Sequence, residues 1–371
     1  MIATRVQLGI VIFAFLSVNI SPVRGIDYFP LLFMIFPLVF GFSKKMIIYF
    51  SLSGVLFLFF LRNPDLQSVV QLFVFLCLAF SLGIIAKYPD IMHRSAIVLL
   101  IIHIIWFLVW IFIPTISNDL LQSRGPGKNS FFYSEPSYAS ISLMSIYLIY
   151  ILFRRREALE YRLLFLYSGF FLILLISTKS LTGVMFAGFI LLYLFAVTRF
   201  LNKVLILCAL LLIGFVFVWF DFGVLRRVYF ISDVESFTDL IATANAVEPS
   251  GAWRLNLNII SYFFAIENPL GNSRFNLEID QIVLPSSFSF IMGNELFNVF
   301  TLIKGQSLFS SFVIAFGVFG FLFITIIFVI ANFGYFRMKK RGLINASDIF
   351  IVNCFVLYGV FFSQLLHLRR Y

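Results

Sequence analysis

Residues 95–114 read SAIVLLIIHIIWFLVWIFIP: twenty positions with one serine, one histidine, no formal acid or base pair, and a closing proline. A helix of about 20 apolar residues is what crosses a hydrocarbon core about 30 Å thick. Composition generalises the observation. The 371-residue chain is 61% hydrophobic and 12% charged, with 52 phenylalanines, against about 25% charged residues in soluble proteins. A water-soluble fold has nowhere to put that much apolar surface. Similar runs occupy 6–24, 28–42, 46–61, 67–86, 137–153, 163–177, 181–198, 204–220, 307–334 and 348–366. The sequence therefore predicts an all-α polytopic integral membrane protein with about eleven transmembrane helices, or twelve if one segment is missed. The run 28–42 is short and carries Pro30 and Pro37, which predicts a kink or tilt. The opening MIATR and its apolar run lack a small-residue cleavage site and read as a retained helix. Cys77, Cys208 and Cys354 sit in apolar runs without metal-ligand spacing and read as packing residues.

Lys and Arg in the short loops set the orientation. With the N-terminus inside, the inner loops hold fifteen of them and the short outer loops five: Arg24, Arg62, Arg124, Lys128 and Lys179. The C-terminal Leu368-Arg369-Arg370-Tyr371 then falls outside, against the trend. Four regions follow: N-terminal spans (1–114), spans with an outer loop (115–220), one long outer loop (221–306) and C-terminal spans (307–371). The long loop holds five Lys/Arg against nine Asp/Glu, net −4, leaving +14 for the remainder of a +10 chain. The basic balance is thus mainly a topology signal. It gives no reason to expect a nucleic-acid partner, since no basic face interleaved with aromatics stands clear of the membrane.

Within the long loop, Val234, Phe237, Leu240, Ile241 and Ala244 have helical spacing. Trp253, Leu257, Ile260 and Phe264 form a second apolar stripe, with Arg254, Asn258, Ser261 and Tyr262 opposite. Both segments read as amphipathic helices at the bilayer surface, the second ended by Pro269-Leu270-Gly271.

Three outer elements carry the residues suited to chemistry. The first is the 115–136 loop with Arg124, Lys128 and Glu135, running into Ser137 and Tyr138. The second is the turn STKSLTG at 177–183, with Lys179. The third is the long loop, with Arg226, Arg227, Arg254, Asn258 and Arg274. Several cations facing one acid suit a phosphate-bearing substrate, because Arg binds phosphate oxygens in bidentate fashion and keeps its charge. The acid could act as base toward a hydroxyl. Each element also has a structural alternative. Ser134 or Ser137 could cap the following helix, with Pro136 in its first turn and Glu135 near its positive end. Arg226, Arg227 and Lys179 could anchor spans at headgroup depth, and Arg254 could be solvated. His103, mid-span, is either functional or bonded to a neighbouring helix; His93 falls on the inner side. No HExxH, P-loop, GxGxxG or His/Cys ligand set occurs, so neither metal nor nucleotide cofactor is expected.

The order of these motifs resembles the Wzy-type O-antigen and capsule repeat-unit polymerases, in a superfamily that also holds the O-antigen ligases. The resembling elements are Ser134-Glu135-Pro136-Ser137-Tyr138-Ala139-Ser140, an inner basic loop, STKSLTG, Gly251-Ala252-Trp253-Arg254, Asn268-Pro269-Leu270-Gly271-Asn272, and GQSLFSSFVIAFGVFGFLF at 305–323. They cover about 115–330 in order. The resemblance implies a GT-C-like glycosyltransferase of the bacterial inner membrane, with its active site on the periplasmic side and no metal or other cofactor. Its substrates would be undecaprenyl-pyrophosphate-linked oligosaccharides, its surroundings membrane lipids, and a chain-length regulator a candidate partner. It also implies Glu135 as base or acceptor-positioning group and Arg254 as first pyrophosphate contact, with Arg124, Lys179, Arg226 and Arg227 in support. The sequence departs from the ligases, which usually carry a His where Gln306 stands, and from the long-spaced Arg-to-Gly pattern of some polymerase loops. The alternatives are an O-antigen ligase acting on lipid A-core, a lipid-linked oligosaccharide flippase or other transporter, and a scaffold without chemistry. No internal repeat supports a transporter.

Overall fold

A computed structural model of the chain describes residues 88–113, 131, 136–153, 158–198, 249–278, 280, 282–293, 302–304, 307–340 and 344–362, with isolated positions 12, 236, 239, 242 and 243. The described part is mainly helical: α1 (Pro89–Phe112), α2 (Pro136–Phe153), α3 (Ala158–Ser177), α4 (Leu181–Val197), α5 (Pro249–Glu267), α6 (Leu308–Phe316), α7 (Val318–Lys340) and α8 (Ala346–Phe362). A two-stranded hairpin pairs β1 (Asn276–Glu278) with β2 (Leu302–Lys304) antiparallel, Leu277 opposite Ile303. A 3-10 helix, Ser286–Gly293, lies between the strands.

Among the described residues two helices, α1 and α7, are long and apolar enough to cross a membrane. In α1, Pro89 fixes the first turn, with Asp90 at the positive end, and Ile113, the residue before Pro114, leaves helical geometry at φ −135°. Its buried stripe is Met92, Ala96, Leu99 and His103; the opposite stripe, Ile101, Ile105, Leu108 and Phe112, is exposed. An exposed face as apolar as the buried one fits lipid contact; a helix facing water would show a polar stripe there. In α7 exposure is nearly all-round, with Val318, Phe321, Ile326, Ile330 and Phe333 open.

Helices α1 to α4 and α8 share one core, in which Leu143 and Tyr147 of α2, Leu164 and Phe171 of α3, Phe186 and Ile190 of α4 and Ile351 of α8 are buried together. The contacts fix directions. His93 stacks on Tyr150 at 5.4 Å and Tyr147 Oη meets Ser168 Oγ at 2.8 Å. Between α4 and α8, Thr182 pairs with Tyr358 and Tyr193 with Asp348. Asn353 Nδ2 donates to Asn332 Oδ1 of α7 at 2.7 Å. These neighbours are all antiparallel. One end of the bundle therefore carries Arg94, Arg162, Arg337, Lys339 and Lys340, while the α3–α4 turn with Lys179 lies at the other.

Asp348 is buried near the basic end. Its Oδ1 accepts from Tyr193 Oη and its Oδ2 from Asn345 N, each at 2.7 Å. Tyr193→Phe withdraws a donor from a buried carboxylate, a loss of about 1.5–3 kcal/mol. The expected result is a lower melting temperature of the detergent-solubilised protein.

Two readings of the sequence change here. The stretch 307–334 is not one span. It is the nine-residue helix α6, about 13 Å long and too short to cross, then a break at Gly317 (φ 58°), then α7. The segment 253–265 is helical as expected and ends at Glu267, with Gly271 at φ 70°. Yet its apolar stripe, Leu257, Ile260 and Phe264, packs on Leu277, Ile291 and Ile314 of the protein itself. On its other face Asn258 and Ser261 are buried and Tyr262 is open. Of the helix expected at 234–246, Ser236 lies in a bend and positions 239, 242 and 243 are helical.

Candidate functional site

Three hydroxyls meet where α2 passes the α3–α4 turn. Ser140 Oγ lies 3.0 Å from Thr178 Oγ1 and 2.8 Å from Ser180 Oγ, and the latter two are 3.0 Å apart. Thr178 Oγ1 donates to Leu175 O at 2.7 Å, so toward the two serines it accepts. Ser180 is the N-cap of α4 and accepts from Gly183 N at 2.9 Å. Gly183 is what lets the helices come this close. A Cβ there would stand 2.5 Å from Thr178 Oγ1 and 2.9 Å from Ser140 Oγ.

Lys179 sits between these two fixed hydroxyl residues, exposed and at φ 49°. Its N donates to Ile176 O at 3.0 Å, closing the C-terminal turn of α3. That left-handed position usually goes to Gly or Asn, since a Cβ there costs about 1–2 kcal/mol. A lysine held in that geometry presents its charge at a fixed corner of the bundle, and strained non-glycine residues concentrate at functional sites.

Before α2, Phe131 is fully buried at φ 50°, its ring centroid 5.4 Å from that of His103. His103 Nδ1 donates to Leu99 O of its own helix at 2.7 Å. That bond lies within α1. Helix α2 begins at Pro136. Ser137 is therefore inside the helix, half-buried, and not in the capping position.

Asn258 joins the long loop to this end of the bundle. Its Nδ2 donates to Phe361 O in the last turn of α8 at 2.7 Å, and its Oδ1 accepts from Ser307 Oγ at 2.6 Å. Ser307 is the N-cap of α6, in a reciprocal capping box with Ser310. The amide predicted to bind substrate is engaged at both ends by the protein. Phe361 also lies one turn beyond Tyr358, whose Oη is 2.8 Å from Thr182 Oγ1 of α4.

The structure thus gathers the first turns of α2, the Lys179 turn and α5 at the end of the bundle opposite the basic residues. Arg274 is not part of the group. It lies in the bend before β1, where Ser273 N donates to Ala315 O near the C-terminus of α6, about 12 Å along that helix from Ser307. Arg124, Glu135, Arg226 and Arg227 lie outside the described residues, as does Gln306. Arg254 and Tyr138 are placed by backbone, in α5 and α2. Among the described residues no three His, Cys, Asp or Glu side chains are grouped as a metal ion would need.

Sequence reasoning did not single out Thr178, Thr182, Ser307 or Tyr358. Hydroxyls in the first turn of apolar helices are common, and nothing local links Thr182 to a tyrosine 176 residues away. No family model, curated protein or solved structure matches the chain, so its functional reading rests on this geometry and on the order of its motifs.

Proposed function

We propose that the chain is a Wzy-type polymerase of the bacterial inner membrane, a multi-pass protein of about eleven spans that joins undecaprenyl-pyrophosphate-linked oligosaccharide units into O-antigen or capsular polysaccharide at the periplasmic face. One observation carries the reading. The EPS helix, the STKSLTG turn and the Arg254 helix meet at one end of the bundle, while Arg94, Arg162 and the basic last turn of α7 lie at the other. By the positive-inside rule, the meeting point is the outer end.

The chemistry follows from the residue types. Glu135 takes the proton of the acceptor sugar hydroxyl, and that oxygen bonds to the anomeric carbon of the growing chain. The bond from that carbon to pyrophosphate breaks, and undecaprenyl pyrophosphate leaves with the bonding electrons. Lys179 and Arg254, with Arg124, Arg226 and Arg227 in support, stabilise the charge that develops on the leaving group.

The surface-glycan ladder of a deletion strain tests the reading. A polymerase leaves single repeat units on lipid A-core and removes the longer bands. Loss of even the single capped unit would instead identify a ligase or a flippase, and an unchanged ladder would exclude all three.

A further inference from the structure

We infer that the last turn of α8, Tyr358 to Phe361, is a strut that holds the Lys179 turn and the Arg254 helix at a fixed separation, with Thr182, Tyr358 and Asn258 as positioning residues. The inference rests on the reading of Lys179 and Arg254 as contacts to one pyrophosphate, and it adds what sets the distance between them.

The two cations stand on separate elements of the chain. Lys179 belongs to a three-residue turn, and Arg254 to a helix within an 86-residue connection, 221–306. A single helix turn bridges them. On one side, Thr182 Oγ1 and Tyr358 Oη are 2.8 Å apart and both residues are buried. The Tyr358 ring is held by an edge contact to Phe186 of α4, centroids 4.9 Å apart. Thr182 lies two residues after Ser180, whose hydroxyl caps α4 and closes the Lys179 turn. On the other side, Phe361 O accepts from Asn258 Nδ2 at 2.7 Å, and position 254 is four residues before 258, one turn along the same face of α5. The Phe361 ring meets Phe309 of α6 at 5.1 Å, so α6 braces the same turn.

The bond at Phe361 is informative about design. Here the donor is an asparagine 103 residues away in sequence, and its oxygen in turn takes the Ser307 hydroxyl. One side chain thus fixes α5 against both α8 and the start of α6. Fixed placement matters for two cations that must reach one leaving group, since a displacement of about 1 Å can cost about 100-fold in rate.

Distances between nitroxide labels at positions 179 and 254 test the strut. Cys77, Cys208 and Cys354 are first replaced by serine, and the full chain is measured in lipid nanodiscs by pulsed dipolar spectroscopy. The expected result is one narrow distribution. Thr182→Val, near-isosteric but without the hydroxyl, and Asn258→Leu each broaden it and shift it to longer distance, while Thr182→Ser leaves it narrow. A distribution unchanged by both Thr182→Val and Asn258→Leu overturns the strut, as does one broadened equally by Thr182→Ser and Thr182→Val. The measurement reads geometry alone. Failure of the polymerase reading registers elsewhere, as a normal ladder in Lys179→Ala and Arg254→Ala strains with the distance results intact.

Discussion

Strains carrying Glu135→Gln or Arg254→Ala are expected to lose the long surface glycan while keeping single repeat units on lipid A-core. Gln keeps the shape and hydrogen-bonding reach of Glu but cannot take a proton, and a positioned general base contributes about 10²–10⁴ to rate. Glu135 directly precedes Pro136, where α2 starts. Five residues on, Ser140 ties α2 to the Lys179 turn. On the proposed reading Arg254→Ala removes a charge-stabilising donor, by analogy with an oxyanion contact a loss of about 10²–10³. Chain length reflects the competition between adding a unit and handing the chain on. A hundredfold slower addition therefore collapses the ladder instead of shortening it slightly. Arg254→Lys keeps the charge without the bidentate geometry and should give an intermediate ladder. Immunoblotting of membranes controls for expression. Normal chain lengths in both Glu135→Gln and Arg254→Ala would remove these residues from the site.

How far the sequence could go depends on where each signal is encoded. The span 95–114 was legible because a bilayer imposes a length and an apolar composition on every turn of a crossing helix, and α1 indeed runs from Pro89 to Phe112. The end of α5 was legible because Pro269 and Gly271 act locally. The split of 307–334 was not. Every residue from Ser307 to Gly334 suits a continuous apolar helix, and the break depends on loop 268–273, which places donors and acceptors around Gly317. The burial of Asn258 and Ser261 was hidden for a related reason. A polar stripe on an amphipathic helix reads as solvated unless partners are known, and the partners of Asn258 come from α6 and α8, 49 and 103 residues away. In the site, the STKSLTG turn was visible as a turn, but the left-handed geometry of Lys179 and the Ser140–Thr178–Ser180 contact are products of tertiary packing.

Gly317→Ala is expected to be the most damaging small substitution in the described part of the chain. Gly317 joins α6 to α7 at φ 58° and ψ −133°, a region almost closed to residues with a Cβ. Strain of that kind costs about 1–3 kcal/mol. The added carbon would also collide with the carbonyl oxygen of Pro269 and stand 2.6 Å from Gly271 N. These are backbone atoms and cannot rotate aside. Relief requires moving the 268–273 loop, which breaks the bonds from Val318 N to Pro269 O and from Asn272 N to Ile314 O. Because α5 leads into that loop, the displacement reaches the Arg254 helix. Total stabilities of about 5–15 kcal/mol leave little room for such a loss, so the expected result is a large fall in monodisperse protein and in its melting temperature. Gly334→Ala is the control. It lies within α7 with nothing within 4 Å of its added Cβ, and alanine is the better helix former by about 1 kcal/mol, so stability should hold or rise. Gly271 supplies the second check. It has φ 70°, and its Cβ would stand 2.5 Å from Gly317 N and from Ala315 O. The two glycines thus face each other across one contact. Either substitution alone already drives the loop off α6, so the double variant should lose less than the sum of the single losses. Simple additivity would mean that the two backbones fail independently and that no shared joint exists.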